Sequence, residues 1–169
     1  MSSPREATFI SYSHDSQAHK DFVLRLASDL RRDGVDCELD QYVEAPKEGW
    51  ARWAINEISQ AKFVLVVCTP IYSERFRGGG SLGTGRGAKW EGAVITQEIY
   101  DADSNNEKFI PVAMSRSDLD SIPAVLRSTT HYVLDTPTGY EMLYRRLSGQ
   151  PLVVRGPVGP KRPMPPRTP

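Results

Sequence analysis

Two carboxylates, Glu91 and Glu98, follow a segment in which six of the ten residues 78–87 are glycine. The apolar spacing after that segment predicts a helix over 89–102, with Glu91 in its first turn. An acid there has two uses. It offsets the helix dipole by about 0.3–1 kcal/mol. Held ionised beside a cleft, it can also stabilise a cationic transition state. Cleavage of the bond between ribose and a positively charged nicotinamide passes through an oxocarbenium-like state. The leaving group departs neutral, so one carboxylate, a pocket and a water suffice. Glu91 is the candidate. Glu98 points the same way about 10 Å further along the helix and is the runner-up. Position alone leaves both uses of Glu91 open.

The glycine segment itself invites a phosphate-binding reading. Gly83 to Ala88 formally fits G-x-G-x-x-A. A dinucleotide fingerprint needs that turn to leave a strand directly and to be followed by an acid at a strand end. Here fourteen residues separate Cys68 from Gly83, and Asp101 and Asp103 fall at a helix end. The glycines read better as a mobile approach to Trp90 and Glu91, with Gly78–Gly87 expected to be poorly ordered. His14, His19 and His131 are scattered, so no Ser-His-Asp or Cys-His set can be built. Cys37 and Cys68 have no metal-ligand spacing, and no metal is expected. Asp40 stands at a strand end, the right place for a site residue, although a turn-former is the commoner explanation there. Tyr42, on the adjacent loop, is placed to stack on a base or a partner.

The elements that position these residues alternate. Short β-prone runs occur at 7–12, 35–39, 63–68, 109–113 and 131–134. Helical periodicity occurs at 17–33, 50–61, 89–102 and 136–147. Residues 63–68 (FVLVVC) are continuously apolar, as in a central parallel strand covered on both faces. Trp50, Trp53, Ala54, Ile58 and Ala61 fall on one helix face and are expected in the core. Pro111 should limit the pairing of the fourth strand. The pattern predicts an α/β, flavodoxin-like three-layer sandwich. It has a five-stranded parallel sheet of order 2-1-3-4-5 with helices on both faces. Ligands in such sheets bind beyond the carboxyl ends of the strands, near the switch point between strands 1 and 3. The loops 12–17, 40–49 and 69–90 converge there.

Composition narrows the function classes. The 169 residues carry 21 basic and 21 acidic side chains, so no large-scale attraction to nucleic acid or to a membrane is expected. The longest apolar run is too short to span a bilayer. No secretory signal is visible, and a cytoplasmic location with reduced cysteines is expected. From Gln150 the character changes: seven of the thirteen prolines lie in the last twenty residues, with four basic residues and no acid. Residues 6–148 therefore read as one domain and 149–169 as a Pro-rich basic linker or tail leading to further domains.

The run Phe9-Ile10-Ser11-Tyr12-Ser13 and the following "DSQAHKDFVLRLASDLRRDGVDCELDQY" resemble the opening of SEFIR domains, the sister group of Toll and interleukin receptor (TIR) domains. "RWAINEISQAKFVLVVCTPIYSERF", a glycine-rich segment ending in an acid, and Phe109-Ile110-Pro111-Val112 continue the likeness. The resemblance implies the flavodoxin-like fold and two functional options. One is an NAD+ glycohydrolase, with NAD+ as substrate and no further cofactor. It would release nicotinamide and ADP-ribose or a cyclic form after self-association, in immune or antiphage defence. The other is a non-catalytic homotypic signalling or adaptor module using loop 40–49. In TIR enzymes the key glutamate commonly lies four residues after a tryptophan. That offset from Trp90 is Val94 here, and the role is carried to Glu91 as the acid after the glycine run. The first-strand motif places Tyr12, Ser13 and His14 as substrate-binding residues, with Asp40, Tyr42 and Trp90 beside them.

Overall fold

A computed structural model of the chain describes residues 5–78, 86–103 and 105–169, with backbone alone at 86–90. The glycine-rich segment 79–85, and with it the expected mobility of that loop, lies outside the described residues.

Five parallel strands form one sheet in the order β2-β1-β3-β4-β5, as the sequence predicts. They are β1 (Arg5–Ser11), β2 (Cys37–Glu38), β3 (Ala61–Val67), β4 (Phe109–Ala113) and β5 (Tyr132–Val133). The alternation of side chains along a strand divides the core in two. Phe9, Val64 and Val66 face one layer, where they meet Trp53, Ile58, Tyr72, Ile95 and Ile99. Ile10, Leu65 and Val67 face the other, against Val23, Leu26, Leu30 and Leu143. β3 is thus buried on both sides, which is why its sequence shows no alternation. Each such Val or Leu contributes about 1.5–3 kcal/mol through burial.

The first layer holds α2 (Trp50–Gln60), α3 (Pro70–Phe76) and α4 (Arg86–Asp101). The second holds α1 (Gln17–Arg32) and α5 (Gly139–Ser148). The Ser16 side chain caps α1 by accepting from the His19 N–H at 3.0 Å. Gly34, at φ +98°, carries the chain out of it. After α5 the chain is exposed at every residue from 149 to 169 and adds no helix or strand.

Two expectations change, and a third is refined. The connector after β3 contains a helix: Thr69 accepts from the Tyr72 N–H at 3.1 Å and Pro70 occupies the first turn. Trp50 is 49% exposed, because it opens α2 ahead of the buried stripe and meets Trp53 edge-on at 5.7 Å. Pro111 lies within a strand paired on both sides. The Val112 carbonyl faces β3, accepting from Cys68, and the Ala113 carbonyl faces β5, accepting from Leu134. Backbone polarity alternates along a parallel strand, so the N–H that proline lacks belongs on the β5 side. There the pairing is two residues long.

α3 and α4 approach each other through Gly92. A Cβ at this position would lie 2.8 Å from the Phe76 carbonyl oxygen and 3.1 Å from its Cα. In an ordinary helix, alanine would gain about 1 kcal/mol over glycine. Here the backbone contact dominates, and Gly92→Ala is expected to destabilise the fold by about 1–3 kcal/mol. Urea unfolding reads this as a lower midpoint at unchanged slope. A midpoint at or above that of the unsubstituted chain would contradict the close approach.

Candidate functional site

α4 begins at Arg86, so Glu91 lies in its second turn rather than its first. The helix dipole acts mainly within the first turn, so dipole compensation no longer accounts for this acid. Its carboxyl is instead turned inward, 9% exposed, between β1 and α3. Ser11, the last residue of β1, donates its hydroxyl to the Glu91 carboxylate. The Ser11 Oγ also lies 2.7 Å from the Tyr72 hydroxyl. A serine hydroxyl has one proton, so when Ser11 donates to Glu91, Tyr72 donates to Ser11. The relay runs from α3 through β1 to α4.

Burial pushes the Glu91 carboxyl up to about 7 from an ordinary 4.5; the Ser11 hydrogen bond opposes the rise. The negative charge of Asp40 adds to it and the His14 side chain reduces it. A carboxyl near 7 is populated in both protonation states at neutral pH. Burial also holds the Tyr72 phenol well above its ordinary value, with the Glu91 charge adding to that effect.

A second cluster stands at the ends of β1 and β2. Tyr12 donates its hydroxyl to Asp40 Oδ1 at 2.7 Å, and the His14 Nε2 meets Asp40 Oδ2 at 2.7 Å. Gln41 donates to the Tyr12 oxygen at 2.9 Å and to the Lys20 carbonyl at 3.0 Å. Burial alone would raise the Asp40 carboxyl. The hydrogen bonds from His14 and Tyr12 outweigh it and hold the group below its usual range. Two carboxylates therefore sit at the switch point in contrasting states. Asp40 is held ionised, while Glu91 is poised near neutrality. Such divergence is a recurrent mark of functional sites.

The structure brings Glu91, Tyr12, His14 and Asp40 to the carboxyl edge of the sheet. Ser13 is buried and serves the frame, donating to Asp15 and lying 3.3 Å from the Thr69 hydroxyl that caps α3. Tyr42 is not part of the cluster. The 3-10 turn Asp40–Tyr42 carries it outward, 43% exposed, with the Arg31 guanidinium 6.0 Å from its ring. Glu98 is also elsewhere: it pairs at 2.7 Å with Lys108, which precedes β4 at the amino edge of the sheet. Two helical turns along α4 carry it away from the switch point. The Trp90 side chain lies outside the described residues. Ser11 and Tyr72 were missed as site residues. Ser11 belongs to the first-strand motif but carries no role of its own in the sequence, and Tyr72 is hidden in a connector whose Thr-Pro helix start is short.

Cys37 and Cys68 are free and buried, their thiols pushed up to about 12 by desolvation. Among the described residues no group of three or more His, Cys, Asp or Glu side chains could hold a metal ion. None of the described helices is long and apolar enough to cross a membrane.

Comparison with known proteins agrees with this architecture. Residues 6–147 match the family model described as SEFIR domain. Human interleukin-17 receptor D is 30% identical over 148 residues, and the mouse receptor 31% over the same length. Each match covers 78% of this chain and 20% of the receptor, so the chain spans about a fifth of the length of these relatives. Among solved structures, a prokaryotic SEFIR domain superimposes with a TM-score of 0.61 at 30% identity, covering 83% of this chain and 97% of that one. A metazoan TIR-STING receptor from C. gigas shares the fold at a TM-score of 0.55 and 19% identity, covering 87% of this chain and 43% of that one. With most of its length matched by the family and its sheet order that of the fold, the chain belongs to the SEFIR domain family.

Proposed function

We propose that this SEFIR domain is an NAD+ glycohydrolase with Glu91 as its catalytic carboxylate, active in a self-associated state. The observation that carries this reading is the buried Glu91 carboxyl at the switch point, hydrogen-bonded by Ser11 and shifted to about 7. In the ionised form it would face the ribose as the C1′–N bond breaks. The bonding pair leaves with the nicotinamide nitrogen, which becomes neutral. The positive charge on the ribose is stabilised by the carboxylate in a low-dielectric setting. Water then adds at C1′ and loses a proton, giving ADP-ribose; attack by the adenine ring would give the cyclic product. Asp40, held ionised by Tyr12 and His14, keeps these side chains in fixed positions beside the reacting ribose.

A second reading is a non-catalytic homotypic module. It is favoured by the receptor relatives and by the exposure of Tyr42, Glu44, Lys47, Glu48 and Trp50 around the loop after β2. Self-association is common to both readings; nicotinamide release separates them. Incubation of concentrated protein with NAD+ is expected to liberate nicotinamide with a rate that grows faster than protein concentration. No release at any concentration would leave the module reading in its place.

Glu91→Gln gives the sharper test, because function and stability move in opposite directions. Turnover is expected to fall by about 10²-fold or more with loss of the carboxylate. Between about 4.5 and 7 the unfolded chain binds fewer protons at this position than the folded one. Native stability therefore falls as pH rises through that window, by on the order of 3 kcal/mol in total. Glutamine carries no charge and still accepts from Ser11, so the variant should melt higher than the unsubstituted protein at pH 8 and show no such gain at pH 4. A variant that melts lower at pH 8 would make Glu91 a structural acid.

The same ionisation governs rate. kcat/KM for NAD+ is expected to rise with pH through about 7 and then level, following the Glu91 carboxylate. Ser11→Ala removes the bond that favours the charged form and should move the inflection to higher pH. An inflection unmoved by Ser11→Ala would assign the ionisation to another group.

A further inference from the structure

Residues 157–169 carry a pattern that neither the sheet nor the site uses. Prolines stand at 157, 160, 163, 166 and 169, a strict interval of three over the whole segment. The polyproline II helix has three residues per turn and rises about 3.1 Å per residue. In that conformation these five prolines share one face and form a continuous ridge about 37 Å long. The next face carries Val158, Lys161, Met164 and Arg167, alternating apolar and basic side chains. Pro165 is the one proline after 157 that lies out of phase.

A spacer needs prolines for stiffness but has no use for their phase. A docking strip needs both, because a groove reads one face of the helix. The folded structure leaves the strip available. Every residue from 149 to 169 is exposed, with Val158 at 95% and Met164 at 67%. Charge is segregated as well. The segment after Gly149 has four basic residues and no acid, which leaves the rest of this neutral chain at a net charge of −4. A partner that accepts the ridge on aromatic rings and pairs Lys161 and Arg167 with carboxylates would match both features.

We infer that residues 157–169 form a polyproline II recognition strip for a protein groove lined by aromatic rings and edged by carboxylates, of the kind found in SH3 domains. The ridge supplies a preformed backbone that loses little entropy on docking, and the basic face fixes its direction along the groove.

The test titrates a panel of purified SH3 domains with acidic groove edges against the full chain. It then repeats the best pair with Pro163→Ala, Pro166→Ala and Pro165→Ala. Each variant removes one proline, so all three soften the segment alike, but only the first two interrupt the ridge. The expected result is binding weakened at least about tenfold by Pro163→Ala and by Pro166→Ala, with Pro165→Ala close to the unsubstituted chain. Unchanged thermal melts of all three confirm that the folded domain is intact. No panel member binding more tightly than about 1 mM would overturn the proposal. So would equal losses from all three variants, which would leave a stiff spacer. A third contrary outcome is equal binding of all variants to phosphatidylserine vesicles, abolished by Lys161→Gln with Arg167→Gln. That would make the segment a basic tail read by charge alone.

Discussion

The hydrogen bond between Ser11 and Glu91 is the contact on which the carboxyl edge of this domain depends. It joins the end of the first strand to the fourth helix across eighty residues of sequence, inside the protein. A carboxyl buried without such a donor would be more costly still to ionise. Tyr72 completes the relay, so α3, β1 and α4 are held in one arrangement by groups that also bear on the ionisation of Glu91. Position and protonation are therefore not separable at this site. The bond that locates the acid is the one that partly counters its burial.

The contrast with Asp40 shows how environment divides the labour of two similar side chains. Asp40 is the more solvated of the pair, and it receives two side-chain hydrogen bonds. Glu91 is the more buried and, among the described residues, receives one from Ser11. Each carboxylate also disfavours the other's charge, since Asp40 contributes to the rise at Glu91. The His14 imidazole stands between these effects, bonded to Asp40 and lowering the Glu91 value.

Much of this was readable in the sequence where burial was uniform. The run 63–68 announced a strand covered on both faces, and β4 falls on Phe109–Ala113 as expected. The sheet order followed from alternation of strands and helices. Glu91 stood out because an acid after a glycine run is conspicuous. What failed to show was pairwise. Nothing local to Ser11 says that its hydroxyl will face a residue eighty positions away. The glycines also drew attention from Thr69-Pro70, a sound helix start with only seven residues to support it. Trp50 misled for a related reason: periodicity assigns a face, but an element's first turn can leave that face before it reaches the core. Glu98 lies on the same helix but towards the other edge, because seven residues of helix run about 10 Å along the strand direction.

The outer strands bear on how such domains can join. β2 and β5 are two residues long, and Pro111 withholds a donor on the side facing β5. A flanking chain finds little backbone on which to continue the ladder, so the sheet is a poor template for fibrous growth. Copies that meet are left with side chains and loops as adhesive. Contacts of that kind are reversible, sensitive to salt and open to competition. Short edges of this kind separate side-chain association from edge-to-edge strand pairing, and disfavour a permanent cross-strand aggregate.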